Sequence, residues 1–364
     1  MLAAAVTALE GWAAEVHLFG DLDEPAPRGA VVLPDSITPT AEATRSADRQ
    51  LTDVRTRWRL YTSGTTGRPK PVDHDLGSLA RLVRMRPQRS RRWGLLYAPT
   101  RMAGTQVVLQ SLADGGLLID AAHLSSVSEK FAWFAARRCT ALSGTPSMWR
   151  QALQSPHSAE LNLQQITLGG EIADQLVLDA LAQAFPAARI THVFASTETG
   201  AAFSVSDGRA GFPATYLTDP PRGIRLAVRD SILHVHAPRV PGAGPDGFVS
   251  TGDVVELDRD RVHFRGRDSG VVNVAGVKVW PEQVETALRG HPDVVDSVVT
   301  ARPNPLSGWI LSAVVVPTRE ADEQTLPTRL RSYCAERLSS AHVPAVVKIV
   351  PSLTLAGSGK AVRR

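Results

Sequence analysis

YTSGTTGRPKP, residues 61–71, closes the strand-like run WRLYTS and sets Thr62, Ser63, Gly64, Thr65, Thr66 and Gly67 ahead of a cation, Lys70. Glycines let backbone N–H groups approach phosphate oxygens, hydroxyls add donors, and the lysine supplies positive charge. A Ser/Thr-rich surface turn is the plain alternative, and eleven residues of this composition argue against it. A Walker loop does not fit, because Pro69 stands where its second glycine belongs and Pro71 where its Ser/Thr belongs. The segment is therefore expected to cradle phosphate by another route.

Beyond this turn, strand-like and helix-like runs alternate. Residues 76–83 read as a helix, WGLLYAP (93–99) as a strand, residues 106–113 as a helix, GLLI (116–119) as a strand and residues 127–136 as a helix. CTALSG (139–144), SMWRQAL (147–153), QITLGG (165–170), residues 172–184 and ARITHVFA (188–195) continue the pattern. Such alternation predicts an α/β layer fold with largely parallel strands. From about residue 210 short alternating strands predict a small antiparallel sheet or barrel, and after Arg267 a compact α+β unit begins. The expected domains are 1–268 and 269–364. Residues 21–50 read as loops around one strand at 30–33.

Composition sets wide bounds. The 364 residues are 43% hydrophobic and 21% charged, with 40 Lys and Arg against 36 Asp and Glu, a net charge of +4. The pI near 9.3 suits polyanionic ligands such as nucleotides, but the arginines are scattered, so no nucleic-acid partner is expected. The dense basic stretch at residues 81–92 reads as a solvated face. Cys139 and Cys334 read as buried, inert thiols. No apolar run approaches the ~20 residues of a membrane helix. The alanine-rich start is broken by Glu10 and Glu15 and lacks a basic lead, so it reads as a short amphipathic helix in a cytoplasmic protein.

Further segments follow in one order: LGGE (168–171), FASTETG (194–200), STGD (250–253), FRGR (264–267), VAGVKVWPEQVE (274–285) and GSGKAVRR (357–364). Together with YTSGTTGRPK they resemble the adenylate-forming superfamily, of acyl- and aryl-CoA ligase type and close to short o-succinylbenzoate-CoA-ligase-like members. The resemblance covers residues 61–364 and implies a large α/β domain with a small antiparallel sheet, N-terminally shortened, followed by a small mobile α+β domain. It implies ATP, Mg²⁺ and coenzyme A, or a carrier protein's phosphopantetheine, as cofactors and partners.

The resemblance also assigns roles. Gly169, Gly170 and Glu171 would border the adenine, and Phe194, with Ala195 and Ser196, would stack on it. Thr197 would donate to the α-phosphate and Glu198 would bind Mg²⁺ as a hard oxygen ligand. Asp253 and Arg267 would hold the ribose, and Gly276 would leave room for the phosphopantetheine arm. Lys360 would bridge the substrate carboxylate and the α-phosphate in the adenylation step. The hinge would fall at Asp268, Ser269 or Gly270.

Departures from the family pattern carry information. Only 60 residues precede Tyr61, so a partner or second copy is expected to cover the surface left by a reduced N-terminal subdomain. Arg101 and Met102 occupy a region where relatives carry an aromatic/His element. Arg101 reads equally as a surface residue or as a reader of a second carboxylate or a polar ring substituent. Residues 97–104 contain no Asp to hold an amino group, which favours an aryl or small acyl acid. Arg101, Met102, Gly104, Ser143 and Gly144 are the expected substrate contacts. Alternatives are a ligase that loads a carrier protein, a degenerate nucleotide-binding relative and, least, a P-loop phosphotransferase.

Overall fold

The computed structural model describes residues 15–18, 56–62, 70–84, 91–197, 199–221, 224–237, 243–305, 308–356 and 358–363. The expected strand at 30–33, nearly all of the amphipathic N-terminal segment, residues 63–69 of the phosphate loop and Glu198 lie outside them.

The frame of the large domain is a six-stranded sheet. Its strands are β4 (Arg92–Leu95), β5 (Leu117–Asp120), β6 (Ala141–Gly144), β7 (Gln165–Gly169), β8 (Arg189–Ser196) and β9 (Gly200–Val205), in the order β5-β4-β6-β7-β8-β9. All neighbours are parallel except β8 and β9. Helices α2 (Met102–Ala113), α3 (Val127–Ala136), α4 (Pro146–Leu153) and α5 (Gln175–Ala184) provide the crossovers. Local chemistry sets their starts. Ser126 and Glu129 form a capping box on α3, Thr145 caps α4 ahead of Pro146, and Asp174 accepts from Val177 N on α5. Phe131, Phe134 and Trp149, all fully buried, pack edge to face in the core, each contributing up to about 3 kcal/mol by burial.

A smaller sheet joins β1 (Glu15–Leu18), β2 (Arg57–Thr62) and β3 (Lys70–His74). Glu15–Leu18 thus departs from the expected helix, because parallel pairing with β2 satisfies its backbone and overrides a weak local preference. Thr62 and Lys70 face each other across β2 and β3, which fixes the two ends of the phosphate-loop segment. The helix expected over 76–83 is one turn, α1 (Leu76–Leu79). Gln110 then takes up the backbone of Arg84, accepting from its N at 3.0 Å and donating to its O at 2.8 Å.

The basic stretch is also corrected. Arg91 is buried against Asp114 (3.6 Å), Arg92 donates to Arg137 O (2.8 Å) and Arg81 to Thr199 O (3.2 Å), so these side chains tie elements together. Cys139 and Cys334 are buried, with burial raising their thiols to about 12 and about 11.

The third sheet has the order β10-β14-β13-β12-β11, from β10 (Phe212–Pro213), β11 (Leu226–Arg229), β12 (Ile232–His236), β13 (Phe248–Asp258) and β14 (Arg261–Arg267). The long strand β13 has a register shift after Val254. Past Arg267 a 3₁₀ turn at Asp268–Gly270 leads to hairpin β15 (Val272–Val274) and β16 (Val277–Val279). There follow α6 (Pro281–Arg289), β17 (Val294–Asn304), β18 (Gly308–Pro317), α7 (Leu326–Arg337) and β19 (Val346–Ile349). Val284, Leu288, Val299, Leu311, Val315 and Leu330 form their separate core.

The two parts meet through buried charge. Asp174 at the α5 cap accepts from Arg150 of α4 at 2.6 Å and from Arg289 of α6 at 3.0 Å. Asp296 of β17 lies 3.8 Å from Arg150 and 3.7 Å from Arg289. Burial pushes Asp174 upward, but the two guanidinium groups more than offset it and hold its carboxyl below the usual range.

One turn before Arg289 on α6, Glu285 accepts from Val299 N and pairs with Arg363. Burial raises its carboxyl from 4.5 to about 7, against the opposing pull of Arg363 and Arg289. A raised folded value means the folded state holds the proton more tightly than the unfolded chain, so this contribution to stability declines as pH rises from 4.5 towards 7. Glu285→Gln cannot titrate. Its Tm relative to the wild type should therefore climb as pH is raised from about 5 to about 8. A difference that stays flat across that window would show that Glu285 takes up no extra proton on folding.

Candidate functional site

Strands β6, β7 and β8 end side by side, and the turn after β7 passes through Gly169 and Gly170, the latter at φ +83°. Carboxyl ends of parallel strands are where such sheets place ligands. A cavity of about 470 Å³ opens there and runs between the sheet and α2. Of the expected residues, Arg101, Met102, Ser143, Gly169, Gly170, Ala195, Ser196, Thr197, Arg267 and Lys360 line it together. Among the described residues its wall carries six cations and no carboxylate, so it suits anionic ligands.

The turn after β8 is set by side chains. Ser196 Oγ accepts from Thr199 N at 3.0 Å, and His74 Nε2 lies 2.7 Å from Thr197 O. A carbonyl only accepts, so His74 carries its proton on Nε2; burial lowers its pKa and keeps the ring neutral at pH 7. His74 thereby places Thr197, a role no sequence motif announced. On the facing strands, Asp253 pairs with Arg267 at 2.9 Å, and Arg267 also donates to Thr251 O at 2.8 Å. Burial raises the Asp253 carboxyl, with the charges of Arg267 and Lys360 opposing.

Lys360 is delivered by a tight turn. Thr145 Oγ1 donates to Gly359 O at 2.5 Å and also caps α4. Glu171 accepts from Ala361 N at 3.1 Å through one oxygen and from Ser147 N at 3.0 Å through the other. Glu171, expected beside adenine, therefore clamps the segment that bears Lys360. The lysine then lies along Gly170, where a Cβ would stand 3.5 Å from its Cε.

Other expected residues are placed differently. Phe194 stacks against Phe203 (5.2 Å) and Phe264 (5.3 Å) and is not part of the cavity wall. Gly104 packs on the Ala98–Pro99 backbone, where a Cβ would meet Ala98 O at 2.1 Å, and Gly144 packs on Trp149 and Leu96. Neither lines the cavity; both allow close approach of elements. Gly276 sits at the exposed tip of the β15–β16 hairpin, also off the cavity wall. Arg101 donates to Tyr61 O at 2.9 Å, which pins α2's start to β2. Ser63, Gly64, Thr65, Thr66, Gly67 and Glu198 lie outside the described residues, as do the side chains of Thr62 and Lys70. Tyr97 was overlooked as a wall residue: its hydroxyl faces Ser143 without a well-aligned bond, and burial raises its pKa.

The profile of the AMP-binding enzyme family matches residues 27–243, and that of the AMP-binding enzyme C-terminal domain matches residues 283–360. Surfactin synthase subunit 1 of Bacillus subtilis (strain 168) is 28% identical over 91% of this chain, which spans 10% of that protein. A feruloyl-CoA synthase of Amycolatopsis sp is 27% identical over 84% of the chain, which spans 68% of it. In fold, the anthranilate CoA ligase AuaEII, solved with anthranoyl-AMP, matches with TM-score 0.68 at 17% identity, over 84% of this chain and 65% of that one.

Gly359 has φ +76°, and a Cβ there would meet Met148 Cε at 2.3 Å. Gly359→Ala should therefore unseat the turn and raise the tryptic cleavage rate after Lys360 by about tenfold or more, with the far-UV CD spectrum unchanged. Unaltered cleavage would show that the turn absorbs the methyl group.

Proposed function

The chain belongs to the AMP-binding enzyme family, and from that premise we propose that it activates a carboxylic acid with ATP and passes the acyl group to the thiol of coenzyme A. The observation that carries the reading is Lys360, seated over Gly170 at a cation-lined cavity by the Thr145–Gly359 and Glu171–Ala361 bonds. The whole-protein activity is inferred, since the chain spans only part of its relatives.

In the first step a carboxylate oxygen forms a bond to the α-phosphorus while the bond to pyrophosphate breaks. Negative charge is then shared between the incoming carboxylate and the phosphate oxygens. On this reading Lys360 donates to both and the Thr197 hydroxyl supports the phosphate; the side chains of both line the cavity. The Asp253–Arg267 pair offers an acceptor and a donor to the ribose hydroxyls. Glu198, the expected Mg²⁺ ligand, is outside the described residues, and no cluster of three metal-binding side chains occurs among the described ones. Bound there, the ion would neutralise the departing phosphates; it enters no step above.

The second step needs a different face of the small domain. Rotation about Asp268–Gly270 would withdraw Lys360 and bring the Gly276 hairpin to the cavity. The thiol, having lost its proton to water, then bonds to the acyl carbon as the bond to AMP breaks. We place the domain boundary at this turn, residues 268–270.

Lys360→Ala should lower acid-dependent ATP–pyrophosphate exchange by about 100-fold or more, with ATP affinity by calorimetry within about threefold. Undiminished exchange would overturn the mechanism. With the wild type, a thioester formed on adding coenzyme A supports the ligase reading. Exchange that yields thioester only with a phosphopantetheinylated carrier would make the carrier the acceptor.

A further inference from the structure

Lys360 stands near the tip of a narrow loop. Ala356 N donates to Lys360 O at 2.8 Å and Val362 N to Thr354 O at 2.9 Å, with Leu355 and Ala361 paired between them. A lysine on such a loop points where the two legs send it, so whatever roots each leg helps to aim the amine.

The body of the loop leans on the large domain. Gln151 of α4 donates to Leu353 O at 2.9 Å, Thr145 holds Gly359 O, Glu171 holds Ala361 N, and Leu355 packs against the large core. The legs belong to the small domain. The first leaves from β19, which pairs with β18. The second returns at Arg363, whose Nη1 donates to Val299 O of β17 at 3.0 Å. The same guanidinium spans both oxygens of Glu285, at 2.7 Å to Oε1 and 3.1 Å to Oε2, and Nη2 also reaches Glu282 Oε1 at 3.1 Å.

Both carboxylates lie on the first turns of α6. Glu285 is only 5% exposed and needs cations beside it; Arg289 lies 3.8 Å away and Arg363 makes the closer contact. A planar fork on a carboxylate fixes direction as well as distance, which the point charge of a lysine does not. The other oxygen of Glu282 faces β14, where a Cβ on Gly266 would stand 2.6 Å from it, one residue before Arg267 of the cavity wall. Three parts therefore meet at Arg363: the Lys360 loop, α6 with β17, and the strand that carries Arg267.

We propose that Arg363 is a positioning residue for Lys360: its fork on Glu285 and Glu282 roots the second leg of the loop in the small domain and so fixes where the amine points. This rests on the acid-activating reading above and adds the residue that aims its lysine.

The test measures pyrophosphate exchange with whichever of benzoate, phenylacetate, acetate and hexanoate the wild type uses best. Arg363→Gln should lower kcat by about tenfold or more, since small displacements of a catalytic group are costly, with KM for ATP and acid within about threefold. In a Lys360→Ala background the same substitution should change the residual exchange by less than about twofold, because its effect runs through that lysine. Tryptic cleavage after Lys360, read by mass, needs no turnover and should become about fivefold faster or more in Arg363→Gln. If the unpaired Glu285 charge unfolds that variant, Arg363→Gln/Glu285→Gln removes the charge and should show the same pattern. Unchanged exchange, or an equal loss in both backgrounds, would overturn the proposal while leaving acid activation standing. No exchange by the wild type with any of the four acids would sink the acid-activating reading. Cleavage would then decide alone: faster in Arg363→Gln supports the anchor, and unaltered overturns it.

Discussion

The ion cluster of Arg150, Asp174, Arg289 and Asp296 is the contact on which the working arrangement depends. Each side chain is at most about a tenth exposed, so their charges are tolerable only together. Loss of one partner from such a cluster leaves an uncompensated buried charge, a penalty of about 3–5 kcal/mol. A hydrophobic contact of similar size would hold the two parts together with less directional demand. Charges instead prescribe which face of α6 meets the α4–α5 surface, and that orientation aims the chain's last residues at the cavity.

From there the placement of Lys360 follows through backbone contacts rather than side-chain bulk. Thr145 spends one hydroxyl on two tasks, capping α4 and holding Gly359 O. Glu171 spends two oxygens on two segments, 147 and 361. Thr145 and Asp174, which cap α4 and α5, each also receive the small domain. The docked state is therefore written into the caps of the large domain, and it is made of few, separable bonds. The rotation proposed for the second step would be suited by that kind of attachment, since a handful of hydrogen bonds can be exchanged where a packed apolar seam could not.

The fold was largely legible in the sequence because its signals are local. Alternating strand and helix runs gave the parallel sheet, and the helix read over 127–136 is kept as α3. Failures came where a distant partner decided the outcome. Glu15–Leu18 pairs with β2 instead of coiling, α1 stops after one turn where Gln106 bonds the Leu79 carbonyl, and β13 continues through a bulge with β12 and β14 on either side. At the site, the sequence reading named ten residues that line the cavity, yet Phe194 packs against Phe203 and Phe264 off the cavity wall, and Gly104 and Gly144 serve packing.

By itself the sequence supplied the candidates: a Gly/Thr/Lys turn suited to phosphate, an Asp–Arg pair, and Lys360 after a glycine-rich run. These are motifs of a few contiguous residues, whose roles the family resemblance suggests. Only the tertiary structure decided how they converge. Thr145 and Gly359 stand 214 positions apart in the chain, and no local pattern records that one holds the other. The polar end of the cavity wall is likewise invisible in sequence, because Arg91, Gln165 and Arg189 are isolated letters at the starts of three strands. The parallel register of β4, β6, β7 and β8 brings them to one end of one cavity, and register is a property of the assembled sheet.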